Sequence, residues 1–189
     1  MPPTIYQLKV SLDGVRPEIW RRIQVPHDIS LERLHKVLQC VMGWEDYHLY
    51  GFFIDGEEYG DPATNDFGSD VRSARRAKLS SLIDRVGEMF SYRYDFGDDW
   101  EHRIILEAIA VAEPTIRYPR CLDGQRSCPP EDCGGIYGYT DLLEAITDPR
   151  NEDHDRLVEW VGEDFDPERF DVALVNAMLV RSRLSRVTK

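Results

Sequence analysis

Between residues 4 and 12 the chain alternates, with Tyr6, Leu8, Val10 and Leu12 on one side and Gln7, Lys9 and Ser11 on the other. A period of two is the mark of a half-buried strand. Asp13-Gly14 supplies a turn, and Ile19, Ile23 and Val25 carry a second extended run over 18–25, so the chain opens with a hairpin. Pro17 and Pro26 bracket that second run, where a missing amide donor does least harm. The period then changes. Ser30 offers a capping oxygen, Leu31, Leu34, Leu38 and Val41 recur at helical spacing, and Gly43 marks a stop, which predicts a helix over 31–42.

Extended character returns at 48–54 and ends in Asp55-Gly56. Residues 60–78 are polar and rich in Gly, Pro, Asn and Asp, and read as a surface connector, followed by a short helical turn over 80–86. A second hairpin follows. Phe90, Tyr92, Tyr94 and Phe96 share one face of 89–96, Gly97-Asp98-Asp99 turns the chain, and Trp100, His102, Ile104 and Leu106 share a face of the return over 100–112. Residues 113–136, with many Pro, Gly and Cys, read as irregular. Helical spacing then recurs at about 139–147, 152–161 and 171–184, with Asp166-Pro167 as a helix-start dipeptide and Asp171 as a cap.

Strands come first and helices last, which predicts the α+β class. The expected architecture is two β-hairpins plus a further strand, forming a mixed, β-grasp-like sheet packed by one helix. A helical C-terminal part (137–189) follows, the whole of 1–189 reading as one domain.

Composition narrows the setting. Apolar residues make up 42% of the 189, enough for a core, and aromatics at 11% argue against disorder. No apolar run approaches the ~20 residues that span a bilayer, and Met1–Tyr6 lacks the basic-then-apolar order of a secretory signal. Four cysteines without an export signal point to a reducing, cytoplasmic setting. A formal charge of −12 repels phosphate polyanions and sets nonspecific nucleic-acid binding at a disadvantage. The local exception is Arg72, Arg75, Arg76 and Lys78, in the connector, whose plain reading is a solvated loop.

The chemistry concentrates in two places. Cys121, Cys128 and Cys133 fall within 13 residues, separated by six and then four others, on a segment stiffened by Pro129 and Pro130 and jointed by Gly124, Gly134 and Gly135. Zinc takes four ligands, thiolates and imidazoles foremost, so these cysteines with His102 from the second hairpin form a candidate zinc site. Cys40, His48 and Asp132 are alternative fourth ligands. The plain reading makes the cysteines small buried hydrophobes. The second place is Tyr94-Asp-Phe-Gly-Asp-Asp-Trp-Glu-His102, where carboxylates, aromatics and an imidazole crowd one turn. Asp and Gly are also what a hairpin turn demands, and Trp100 suits a core anchor.

Four stretches together resemble one family, the plasmid pRiA4b ORF-3-like proteins. They are Tyr6-Gln-Leu-Lys-Val with Pro17-Glu-Ile-Trp-Arg-Arg22, Gly43-Trp-Glu-Asp-Tyr-His-Leu49, Tyr94 through His102, and Tyr118-Pro-Arg-Cys121 with Cys128-Pro-Pro-Glu-Asp-Cys-Gly-Gly135. The chain departs from the pattern at Tyr50, where the family often has a second histidine. The resemblance implies a compact α+β domain of bacterial and archaeal genomes and plasmids, and no particular activity.

The reading reached from the sequence is a non-enzymatic binding or interaction module, its partner unidentified and a protein among the candidates, with a candidate structural zinc site at Cys121, Cys128, Cys133 and His102. One alternative is an enzyme between the 95–102 hairpin and the cysteine segment, with His48 or His102 as acid or base. Another is a nucleic-acid accessory protein using Arg72–Lys78 and Arg181, Arg183 and Arg186.

Overall fold

The structure, a computed structural model, describes residues 3–64 and 70–184, and the backbone of 186–187. Strands β1 (Thr4–Leu12) and β2 (Ile19–Pro26) form the first hairpin, and β6 (Met89–Tyr94) and β7 (Trp100–Val111) the second. The hairpins join through β1 and β7, antiparallel, so that Val10 lies between Arg21 of β2 and Ile104 of β7. Between them in sequence come helix α1 (Leu31–Met42), β3 (Tyr50–Ile54), β4 (Glu57–Gly60) and β5 (Arg72–Ser73). After them come β8 (Arg117–Tyr118) and β9 (Arg120–Gln125), then helices α2 (Gly135–Thr147), α3 (His154–Val161) and α4 (Val172–Arg181), and β10 (Arg186–Val187).

The main sheet has eight strands in the order β5-β4-β3-β6-β7-β1-β2-β9, and only β4–β5 is parallel. A mixed sheet with a helical C-terminal part is therefore what the pattern anticipates. Helix α1 follows its signals closely: Ser30 accepts from the Arg33 amide, and Gly43 closes the helix at φ +96°. Its apolar face (Leu31, Leu34, Leu38, Val41) enters one core with Val10, Ile23, Trp100 and Ile104.

Four features differ from the sequence reading. Asp55 and Gly56, both at positive φ, make a tight turn into β4, a short strand whose Glu57 and Glu58 masked it among polar residues. The 113–136 segment is not wholly irregular, because β9 pairs with β2 and places Cys121 opposite Ile23. The helical turn expected over 80–86 is a single 3-10 turn at Leu79–Ser81. Asp166-Pro167 heads a turn, and α4 begins later, with Asp171 accepting from the Leu174 amide.

Two details fix the cysteine segment in place. A Cβ at Gly138 would sit 1.9 Å from the Cys133 carbonyl oxygen, so α2 meets the segment only because residue 138 is glycine. On the far side, Asn176 of α4 accepts from the Cys121 amide at 2.9 Å and donates to the Cys121 carbonyl at 2.8 Å.

Candidate metal centre

Three segments meet at one end of the sheet: the α1–β3 loop, the β6–β7 turn and the end of the cysteine segment before α2. Trp44 is buried and donates from Nε1 to the Pro129 carbonyl at 2.9 Å. Glu131 is gripped from two directions, its Oε1 accepting from the Glu45 amide at 2.8 Å and from the Tyr94 hydroxyl at 2.9 Å. Asp98 Oδ2 accepts from the Gly134 amide at 3.1 Å. These bonds decide which side chains face one another.

His48 projects from the first segment, Asp95 from the second and Asp132 from the third, and their ligand atoms lie within 4.8 Å of one another. From His48 Nε2, Asp132 Oδ1 is 3.1 Å away, Asp95 Oδ2 3.6 Å, and Glu131 Oε2 3.9 Å. Neither His48 Nε2 nor Glu131 Oε2, both buried atoms, has a hydrogen-bond partner among the described residues. Asp95 is 6% exposed; its Oδ1 accepts from the Gly97 amide at 2.9 Å, leaving Oδ2 toward the imidazole. Asp95 and Asp132 both hold positive φ, a conformation that Asp tolerates better than most residues.

Donors bound to one cation at about 2.0–2.2 Å lie no more than about 4.4 Å apart. The 3.1 and 3.6 Å separations of Asp132 Oδ1 and Asp95 Oδ2 from His48 Nε2 fall inside that limit. One imidazole with carboxylates suits a first-row dication of borderline to hard character, Mn2+ or Zn2+. Among the described residues no Lys or Arg pairs with Asp95, Glu131 or Asp132; the nearby Arg93 is taken up by Asp99 and Glu101.

The set expected from the sequence is placed differently. Among the described residues the ligand atoms that lie close together are those of His48, Asp95 and Asp132, and Cys121, Cys128, Cys133 and His102 do not form such a group. Cys121 Sγ faces the Asp123 carbonyl at 3.4 Å, and Cys128 Sγ lies 3.5 Å from both Arg21 Nη2 and Met42 Sδ. Burial pushes the thiols up, to about 11 for Cys121 and Cys128 and about 12 for Cys133. His102 is buried in β7 with Nδ1 3.2 Å from the Tyr92 carbonyl, its ring edge-on to Trp44, and burial lowers its pKa to about 4. Cys40, the other alternative, is a partly buried thiol of α1.

His48 and Asp132 were both within reach of sequence reasoning, as an acid–base candidate and an alternative ligand. The sequence assigns Asp95 to turn chemistry, and it does make that turn; its second oxygen faces His48. Glu131 gave no signal of its own, since its place follows from hydrogen bonds to Glu45 and Tyr94 that lie 86 and 37 residues away.

Comparison with known proteins bears on the whole chain. The profile of the plasmid pRiA4b ORF-3-like protein family matches residues 4–174. Uncharacterized protein y4hQ of Sinorhizobium fredii (strain NBRC 101917 / NGR234) is 41% identical over 178 residues, covering 93% of this chain and 91% of its own. The crystal structure of a protein of unknown function, MM3350 from Methanosarcina mazei Go1, superposes with a TM-score of 0.84 at 39% identity. That match covers 92% of this chain and 98% of the other.

Proposed function

The chain belongs to the plasmid pRiA4b ORF-3-like family, and from that premise we propose that it is a binding module built around one divalent cation, held by His48, Asp95 and Asp132 with Glu131 alongside. The observation that carries this reading is that His48 Nε2 faces three carboxylates at 3.1, 3.6 and 3.9 Å while neither it nor Glu131 Oε2 makes a hydrogen bond among the described residues. Buried polar atoms ordinarily find a partner, and leaving one without costs about 1–3 kcal/mol. A dication answers the imidazole lone pair and the carboxylate charges together. It also ties three loops that are remote in sequence, as a structural metal does. Asp132, 70% exposed, leaves one side of the ion to solvent, where a ligand of the module completes the coordination.

A second reading is favoured by one observation. A cleft of about 740 Å³ begins at Asp132 and Cys133 and runs between α2 and α3 to Trp160. An ion with an open position beside such a cleft activates water, which would make the centre hydrolytic.

The deciding experiment starts from protein stripped with a chelator and dialysed. Titration calorimetry and thermal unfolding with Mn2+ and with Zn2+ should show one ion bound per chain and a raised melting temperature. Asp95→Asn should abolish both. Absence of binding for either ion rejects the centre, and loss in Cys121→Ser or Cys128→Ser with retention in Asp95→Asn returns the metal to the thiols. Turnover of p-nitrophenyl acetate or phosphate by the metal-loaded protein, lost in Asp95→Asn, selects the hydrolytic reading.

A further inference from the structure

The structure separates the connector's arginines. Arg72 pairs with Glu57 at 2.9 Å, whereas Arg75 and Arg76 line a cavity of about 740 Å³ whose lining does not include His48, Asp95, Glu131 or Asp132. Lys36 of α1 lines it too, and so do three acids, Glu32, Asp46 and Asp61. Its floor is the ring of Tyr50, stacked on the buried imidazole of His35 at 3.6 Å and 6°.

The charges are held apart. Apart from the bond between Asp46 Oδ1 and His35 Nε2, none of these six side chains forms an ion pair within 4.0 Å among the described residues. Backbone donors are already committed: the Leu31 and Glu32 amides at the start of α1 bond to the carbonyls of Ala77 and Ala74, and the Arg33 amide to Ser30. Attraction for an anion at this cavity therefore comes from Lys36, Arg75 and Arg76 as side chains, and attraction for a cation from Glu32, Asp46 and Asp61. His35 is fixed as well. Gln39 donates to the Tyr92 hydroxyl at 3.0 Å, so that hydroxyl's own proton goes to His35 Nδ1 at 2.8 Å and His35 Nε2 donates to Asp46 at 2.6 Å. The floor is a preset surface, with its hydrogen bonds directed inward.

A polyanion is the wrong occupant, because each cationic group has a carboxylate sharing its cavity. A neutral apolar molecule would leave six charges desolvated. We propose that this cavity binds a small zwitterion with a free carboxylate and a free ammonium, a short peptide with both termini unblocked. Its carboxylate is received by Arg75 and Arg76, its ammonium by Glu32 and Asp61, and its body lies over Tyr50. The volume falls in the range of small-ligand sites, about 300–1,000 Å³.

Trialanine is the probe, with N-acetyl-trialanine amide as its capped counterpart, followed by titration calorimetry on the full chain. The expected result is saturable one-to-one binding of trialanine, weakened at least about tenfold by capping, the loss of a charged pairing at each end. Arg75→Ala with Arg76→Ala, at exposed positions, should abolish binding while leaving the melting temperature in place. Glu32→Gln should weaken it. No binding of trialanine, or equal binding of the capped form, overturns the proposal. So does retardation of a single-stranded oligonucleotide that disappears in the same double variant, since that makes the arginines a nucleic-acid surface. His48→Ala separates this site from the cation centre: trialanine binding should survive it, and loss there moves the peptide to the metal and ends the assignment to this cavity.

Discussion

Trp44 Nε1 donates to the main-chain oxygen of Pro129 across 85 residues of sequence. That bond joins the loop carrying His48 to the segment carrying Glu131 and Asp132, and the indole is also stacked at 4.9 Å on Tyr94, the last residue of β6 and the neighbour of Asp95. One side chain thus touches the three walls of the candidate centre. Trp44→Phe keeps most of the packing and deletes the donor, so stability should fall by about 1–2 kcal/mol in denaturant unfolding. Affinity for Mn2+ should fall with it. A Trp44→Phe protein with unchanged ion affinity would show that the walls are set elsewhere.

Asp95→Asn offers a test with opposite signs in the two states of the centre. Asn accepts positive φ and can still take the Gly97 amide through its oxygen. In metal-free protein the substitution removes one of three crowded negative charges, so it should raise stability by roughly 1 kcal/mol. In the presence of Mn2+ it should lower the melting temperature relative to wild type. A decrease in both conditions would mean that Asp95 is purely a turn residue.

His102 gives the folded protein a predictable pH response. Burial holds its pKa near 4 against 6.5 for an exposed imidazole. Between those values the unfolded chain binds a proton that the folded chain does not, so stability rises with pH across the window. The contribution is whole above about pH 6.5 and is lost as pH falls toward 4, with a limiting slope of about 1.4 kcal/mol per pH unit. His102→Phe should flatten that slope between pH 4 and 6.5 in urea unfolding; an unaltered slope would assign it to other groups.

The cysteine thiols should be slow to react. Burial raises Cys121, Cys128 and Cys133 to about 11, 11 and 12, so at pH 7.5 little thiolate is present in the fold. Iodoacetamide should label them slowly in native protein and quickly in guanidinium. Rapid native labelling of Cys133, the least covered of the three, would contradict the packing between α2 and the β6–β7 turn.

Gly138→Ala should be among the most damaging single-methyl changes. The added carbon would lie 1.9 Å from the Cys133 oxygen and 2.9 Å from its carbonyl carbon, both backbone atoms that cannot swing aside. Loss of roughly 2–3 kcal/mol is expected by thermal unfolding, together with weakened ion binding as the Asp132 segment shifts. Tolerance of alanine would show that α2 can rotate off the segment.

How much of this was legible in the chain depends on the range of the interactions concerned. α1 could be read to the residue because its caps, Ser30 and Gly43, and its apolar stripe are all local. The hairpins β1–β2 and β6–β7 were equally plain, since alternation and turn residues adjoin. β4 and β9 were not. β4 is short, acidic and close to the sheet margin, and β9 is a strand only because β2 offers it hydrogen-bond partners about a hundred residues upstream. The candidate centre shows the same division. Its residues were each noticed as polar chemistry near turns, but the pairing of His48 with Asp95 and Asp132 comes from Trp44, Tyr94 and Glu131 meeting across loops. Cysteine spacing points toward sulfur ligation; the fold buries Cys121 and Cys128, and the ligand atoms it brings close together are those of His48, Asp95 and Asp132.

The Asn176 side chain ends the sheet in an unusual way. By accepting from the amide and donating to the carbonyl of Cys121, its carboxamide imitates the peptide group of a ninth strand. The outer edge of β9 is therefore met near its start, at the second of its six residues, by the protein's own helix. At the opposite margin β5 is only two residues long. One margin of the mixed sheet thus carries a side-chain amide where a strand's peptide group would pair, and the other is too short to offer a long template.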